Sequence, residues 1–336
     1  MPTSSKMKSL SKIDQIWEYY QNDLHKVENH FRKVLDSQGS LIAEVGRHIL
    51  NSGGKRIRPL LVIISSSLNG EIVPDQAVIL LASAVEFIHS ASLLHDDVID
   101  DAAIRRGKPS AHTLWDNQTS ILVGDHLYAQ GVSCAASLSN HEINKVLLEA
   151  CRLMTRGETL QLTYRGNLKI TENKYIEVVQ CKTAALISAA CRLGAIIGGM
   201  ELENKEALGK FGLYLGMAYQ LVDDTLDYIA DEQSLGKLLL KDLNKGEITL
   251  PLIHLLSHCP EQERSWLDGV FKMDEMDLKD VLSILSLIKQ YGSIEYSINK
   301  ARNFVEIAKE SLRFSSNSVQ RQALLTIADY VVSRDH

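Results

Sequence analysis

The chain has 336 residues, 45% hydrophobic and 23% charged, with a formal net charge of −6 and a pI near 6.0. These values suit a folded globular protein and exclude a disordered one, and the acidic balance argues against non-specific nucleic-acid binding. No apolar run reads as a membrane span, and the N-terminus MPTSSKMKSLSKIDQIWEYY lacks a signal-peptide core. Five cysteines (Cys134, Cys151, Cys181, Cys191, Cys259) without metal spacing read as buried thiols of a cytoplasmic protein.

Only six prolines and 20 glycines interrupt the chain, so long helices are permitted. Ile13, Ile16, Trp17, Tyr20, Leu24, Val27, Phe31 and Val34 recur at three- and four-residue intervals and predict a first amphipathic helix. SGGKRIRP, residues 52–59, reads as a loop or helix entry. Pro74 and Asp75 open a second long helix that runs to about Asp101. Further helices are predicted over 119–138, 141–163, 172–199, 204–231, 250–258, 277–291, 293–313 and 317–333, with no alternating strand and no hairpin signal. Breaks between them are short, so one all-α domain spanning 1–336 is expected.

Within LLHDDVIDDAAIRRG, residues 93–107, Asp96, Asp97, Asp100 and Asp101 crowd together at the end of an apolar helix, and Arg105 and Arg106 follow. Like charges repel and normally sit in solvent. The spacing Asp96–Asp97–Asp100 returns as Asp223–Asp224–Asp227. One such pattern arises by chance in about 7% of chains of this composition, and two in fewer than about one in a hundred. One cluster alone reads equally as a solvated helix end; two, each closing a long apolar helix, point to a shared job. Residues i and i+4 lie on one helix face, so Asp96 and Asp100 can hold one set of cations. Carboxylates without His or Cys suit hard cations, and Mg²⁺ takes one or two of them while sharing its other sites with phosphate oxygens.

Phosphate calls for converging cations. GGKRIRP offers Lys55, Arg56 and Arg58 beside two glycines that let the backbone approach closely; Lys182 and Thr183 lie in CKTAAL, and Lys237 in LGKLLLKD. A lone lysine is usually a solvated side chain, whereas two flexible glycines beside three cations do nothing useful for a core.

GGKRIRP, LLHDDVIDDAAIRRG, GDHLYAQ, KTAALISAACRLGAIIGG, GMAYQLVDDTLDY and DLNKGEITLP occur in the order seen in trans-isoprenyl diphosphate synthases, the polyprenyl synthetase family, and the chain resembles that family over about residues 40–260. The resemblance implies a helical bundle of isoprenoid-synthase type around a deep central cavity, generally homodimeric, that joins isopentenyl diphosphate head to tail to an allylic diphosphate. Three Mg²⁺ ions, with Mn²⁺ as a substitute, are implied on Asp96, Asp97, Asp100, Asp223, Asp224 and Asp227. Arg105, Lys182, Thr183, Gln220 and Lys237 match the allylic-diphosphate contacts, and Lys55, Arg58, His89 and Arg106 the isopentenyl-diphosphate site. His89, on a mostly apolar helix, reads alternatively as a core histidine, but its place two turns before Asp96 favours the site. Two positions depart from the family pattern: Glu247 stands where a lysine is usual, and Leu238, Leu239 and Leu240 where proline and glycine are. Both bear on how the diphosphate is covered.

If the product grows away from the metals along the helix of Asp96, Ser92, Ile88 and Val85 or Ala84 line one wall, with Ala91 beside Ser92. Family members that stop at fifteen carbons place aromatic residues there, so Ala91 and Ser92 imply a product longer than farnesyl diphosphate, in the range of quinone side chains; small residues packing helices tightly are the bland alternative. Rival readings are a geranylgeranyl diphosphate synthase, a subunit that needs a partner chain, a class I terpene cyclase and a scaffold. The basic loop and the second cluster speak against the cyclase, and the intact acid clusters against an inactive subunit. Contact with a membrane surface through the greasy product is compatible with all of this.

Overall fold

The computed structural model describes residues 10–70, 75–229, 246–273 and 276–334. They form two compact units. The first runs up to Cys151 and adds Leu186–Gly212 and Ser311–Ile327; the second comprises Arg152–Ala185, Leu213–Glu310 and the chain from Ala328.

In the first unit, α1 (Ile13–Asp36) buries Ile16, Tyr20, Leu24, Val27, Phe31 and Leu35, nearly the predicted stripe. Two helices follow that periodicity did not reveal, α2 (Ser40–Asn51) and α3 (Ile57–Ser66). Between them Gly53 and Gly54 take positive φ, and Arg56 enters α3 in the left-handed region. The expected long helix is α4 (Gln76–Ile99), its first turn capped by the Asp75 carboxylate, which accepts from Val78 N at 3.0 Å. Contrary to the sequence reading, α4 is long and apolar enough to cross a membrane, but 72% of its most apolar stretch is buried. An all-round apolar helix of this kind is a core helix: the Phe31 ring of α1 stacks on Phe87 at 4.0 Å, and α6 (Asn117–Ala136) crosses it at Gly131. A Cβ at Gly131 would lie 2.8 Å from the Ala84 carbonyl, so the close crossing requires glycine there.

A short hairpin, missed from sequence, joins α4 to α5 (Ala111–Leu114): β1 (Ile104–Arg105) pairs antiparallel with β2 (Lys108–Pro109). Its central residues Arg106 and Gly107 both have positive φ, the geometry of a type I′ turn. Arg-Gly lacks the Asn-Gly or Asp-Gly signature that announces such turns. The helices α7 (His141–Tyr164), α9 (Ala185–Ile197), α10 (Leu202–Leu226) and α15 (Val319–Ser333) are each divided between the two units.

In the second unit, α8 (Glu172–Val179) continues through a single π-helical turn, Gln180–Ala184, into α9. After α10 come α11 (Leu250–His258), α12 (Glu261–Val270), α13 (Leu278–Gln290) and α14 (Ser293–Glu310). Helix α12 buries only Leu267 and Val270, too few apolar positions for a visible period. The His254 ring of α11 stacks on Tyr296 of α14 at 4.2 Å, and Tyr296 donates to Glu172 at the start of α8 at 2.7 Å. All five cysteines are buried thiols.

Candidate active site

Each unit carries one acid cluster. In the first, α4 ends at the aspartates: Asp100 is its C-cap, its N–H bonded to Asp96 O at 2.8 Å. Asp97, 1% exposed, points inward, where Arg105 Nε donates to its Oδ1 at 2.7 Å. Burial pushes the Asp97 carboxyl up and Arg105 opposes that shift. Its other oxygen, Oδ2, is buried with no hydrogen-bond partner among the described residues.

The glycine-rich loop lies against the hairpin that follows the same cluster. Arg106 Nη1 donates to the Gly53 carbonyl, Lys108 Nζ to Asn51 O at 2.7 Å, and Trp17 Nε1 to Lys55 O at 2.7 Å. Arg56 is consumed structurally, its guanidinium bound to Glu86 at 2.7 Å and Glu28 at 3.3 Å. Arg58 Nη1 stands 3.2 Å from His89 Nε2. A guanidinium only donates, so Nε2 accepts and the ring proton sits on Nδ1. Burial, then Arg58, Arg106, Arg105 and Arg56, hold His89 well below the usual histidine range, so it is neutral. The four expected isopentenyl-diphosphate residues, Lys55, Arg58, His89 and Arg106, thus belong to one unit along with the first acid cluster.

In the second unit, α10 carries Asp223 and Asp224 in its last turn, and Asp227 lies just beyond it. Asp224, 7% exposed, accepts from Tyr175 OH at 2.5 Å and Gln220 Nε2 at 2.6 Å. Gln220 Oε1 in turn accepts from Thr183 Oγ1 at 2.8 Å. Burial, reinforced by Asp223 and Glu247 and opposed by the two donors, pushes Asp224 up to about 7. The π turn, a feature frequent at functional sites, presents Lys182 and Thr183; Lys182 Nζ pairs with Glu158 of α7 at 2.7 Å. Asp223 Oδ1 is bound by Arg334 Nη2 at 2.7 Å. Glu247, where the family's lysine is usual, lies 3.9 Å from Arg165 Nη2.

Tyr175, Glu158 and Arg334 escaped the sequence reading because each meets its partner across a long stretch of chain and carries no spacing signal. Lys237, Leu238–Leu240 and the helix start at Pro74 lie outside the described residues. Of the expected product wall, Ala84, Val85, Ile88 and Ala91 are fully buried, with Ala84 and Ile88 packed at Gly131. Ser92 keeps some accessible surface, its Oγ donating to His89 O at 2.9 Å.

The donor set suits a hard cation: carboxylates only, with a buried carboxylate oxygen lacking a partner at Asp97. Among the described residues no three acidic, histidine or cysteine side chains converge tightly enough to hold an ion alone.

An all-helical fold that closes two long helices with aspartate clusters, and sets cations beside each, is the architecture of enzymes that work on prenyl diphosphates. The polyprenyl synthetase model matches residues 39–288, and the chain belongs to that family. It is 35% identical to octaprenyl diphosphate synthase of Escherichia coli, covering 96% of this chain and 99% of that one. It is 36% identical to a short chain isoprenyl diphosphate synthase of Methanothermobacter thermautotrophicus, covering 90% and 93%. The crystal structure of a polyprenyl synthase from Caulobacter crescentus complexed with calcium and isoprenyl diphosphate superimposes with a TM-score of 0.90 at 33% identity, over 98% of this chain and 100% of that one.

Proposed function

We propose that this protein is a Mg²⁺-dependent trans-prenyltransferase that condenses isopentenyl diphosphate with an allylic diphosphate and makes an all-trans polyprenyl diphosphate longer than farnesyl diphosphate. The observation that carries the proposal is the set of cations gathered beside the first acid cluster: Arg105 on Asp97, Arg58 on a neutral His89, and Arg106 on the glycine loop. In the reaction the allylic C–O bond breaks and diphosphate leaves. The double bond of isopentenyl diphosphate then attacks the allylic carbon, and the released diphosphate takes the proton that is lost.

In the first unit, Lys55, Arg58 and Arg106 bind the isopentenyl diphosphate by charge-assisted hydrogen bonds, and His89 adds its Nδ1–H. In the second, Lys182, Thr183 and Gln220 orient the allylic diphosphate, with Gln220 locked between Thr183 and Asp224. Asp96, Asp97 and Asp100 in one unit, and Asp223, Asp224 and Asp227 in the other, would hold Mg²⁺. Bound there, the metal supplies Lewis-acid neutralisation of the leaving group. The calcium and isoprenyl diphosphate of the Caulobacter relative support this reading.

The near full-length likeness to an octaprenyl synthase and the small Ala91 and Ser92 support a long product. A geranylgeranyl-length product is the second reading, favoured by the tight packing of Ile88 at Gly131. Homodimerisation, carried by the family resemblance, and a cytoplasmic location, carried by the reading of the five cysteines as buried thiols, are part of the proposal.

The test is to incubate the purified chain with isopentenyl diphosphate and, separately, dimethylallyl, geranyl, farnesyl and geranylgeranyl diphosphates, with Mg²⁺ or with chelator, and to size the products by mass. Metal-dependent products beyond fifteen carbons bear out the proposal, with growth past twenty giving the long-chain reading and a stop at twenty the geranylgeranyl one. A stop at fifteen refutes both chain-length readings while keeping the enzyme, and no condensation with any primer refutes a stand-alone synthase.

A further inference from the structure

We propose that Arg334 is a resident counter-ion of the second acid cluster, which keeps divalent cations from filling it until a diphosphate brings negative charge. The inference rests on the reading of Asp223 as a metal ligand.

Arg334 follows the last helix, α15, and its side chain is only 8% exposed. Three contacts other than Asp223 fix its guanidinium. Nη2 donates to Tyr219 O at 2.7 Å, Nε donates to Val331 O at 3.2 Å, and the plane sits 3.9 Å over the Tyr219 ring. Tyr219 and Asp223 are four residues apart on α10, so they share a helix face, and Arg334 lies across it. Asp223, by contrast, keeps 39% of its side-chain surface. The guanidinium therefore stays where it is whatever the carboxylate does.

Two effects of that fixed charge oppose each other. Holding Asp223 in one rotamer prepares a ligand, which removes at most the freedom of two rotatable bonds. Placing a permanent positive charge on the same carboxylate repels any divalent cation that shares it, and at such short range in a half-buried site this repulsion is the larger effect. A metal ion alone then binds weakly. A diphosphate reverses the local charge, and the same guanidinium becomes attractive to the combined assembly. Arg334 so couples metal binding to diphosphate binding, in the range of five- to a hundred-fold typical of such linkage. It acts through Asp223 and is a positioning residue, since nothing requires it to touch the reacting atoms.

The test is a titration of the full-length, substrate-free protein with Mn²⁺, following free ion by electron paramagnetic resonance. Wild type, Arg334→Gln, Arg334→Lys, Asp223→Asn and the Asp223→Asn/Arg334→Gln double variant are compared, with helix content checked by circular dichroism. Arg334→Gln is expected to bind Mn²⁺ about five-fold or more tightly than wild type, and Arg334→Lys, which keeps the charge, to stay within about two-fold of it. The gain is expected to vanish in the double variant. Arg334→Met, which keeps the packing over Tyr219, replaces the glutamine variant if that one fails to fold. Unchanged or weaker Mn²⁺ binding in a folded Arg334→Gln or Arg334→Met protein overturns the counter-ion role while Asp223→Asn still loses Mn²⁺. If Asp223→Asn binds Mn²⁺ like wild type, the metal-ligand reading itself fails and the counter-ion role falls with it.

Discussion

Gly157 offers a test in which local propensity and packing give opposite signs. It lies inside α7, where replacing glycine by alanine ordinarily stabilises a helix by about 1 kcal/mol. Here an alanine Cβ would sit 2.3 Å from Lys182 N, 2.7 Å from Lys182 Cα and 2.8 Å from Cys181 C. All three are backbone atoms of the π turn, so no side-chain rotation relieves the contact. Overpacking of this kind costs about 1–3 kcal/mol, and three backbone clashes at once place Gly157→Ala at the upper end. After the propensity gain, a net destabilisation of about 2 kcal/mol is expected. Gly269 in α12 is the control: nothing lies within 4 Å of its added Cβ, so Gly269→Ala should gain up to about 1 kcal/mol. Urea unfolding followed by circular dichroism measures both. The atoms displaced by Gly157→Ala position Lys182, so KM for the allylic diphosphate should rise while KM for isopentenyl diphosphate holds. Gly157→Ala as stable as wild type, or moving in the same direction as Gly269→Ala, would refute the packing argument.

Asp97→Ala and Asp223→Ala should each lower turnover about a hundred-fold or more with helix content unchanged by circular dichroism; near-wild-type turnover in either removes that residue from the catalytic set. Tyr175→Phe deletes a donor to the buried Asp224 carboxylate and should cost about 1–2 kcal/mol in urea unfolding, a loss absent if the phenol only fills space. His89 carries a pH signature. Burial and the surrounding guanidiniums depress its pKa in the folded chain, so on acidification through about 6.5 the unfolded chain takes up a proton that the folded one refuses. Stability should therefore be unaffected by this residue above about pH 7 and fall below it, by at most about 1.4 kcal/mol per pH unit. His89→Gln should remove that component, and a wild-type-minus-variant unfolding difference that is the same at about pH 7.5 and about pH 5.5 would contradict it.

The helices that periodicity predicted are those with one wet face, such as α1, and those whose whole length is apolar, such as α4. Helix α12 stayed hidden because its charged sequence buries two residues, and α3 because Gly53, Gly54 and Arg56 make its entry look like a loop. The hairpin at Ile104–Pro109 is too short for alternation to register. The candidate site divides the same way. Residue types that repeat at one spacing, such as the aspartates, or that crowd beside glycines, such as Lys55 and Arg58, were legible. Tyr175, Glu158 and Arg334 were not, because their meaning comes from partners 49, 24 and 111 residues away, measured to Asp224, Lys182 and Asp223.

Those hidden partners explain how the chain tolerates its acid runs. Asp97 is held by Arg105, Asp223 by Arg334, and Asp224 by Tyr175 and Gln220, while Lys182 is held by Glu158. An unpaired buried charge is among the most costly features a fold can carry, and the protein offsets that cost with its own counter-charges at Asp97, Asp223 and Lys182 and with neutral hydrogen-bond donors at Asp224. On the proposed reading substrate and metal would bind by exchange: a phosphate oxygen would compete with Glu158 for Lys182, and a cation would compete with Arg334 for Asp223. Affinity is the difference between two charge-assisted interactions, each strong alone. Neither ligand would then gain much without the other, because the metal would supply charge that releases Asp223 from Arg334 and the diphosphate charge that releases Lys182 from Glu158. The pairing that offsets the cost of these charges in the resting fold would thus also make the two ligands depend on each other.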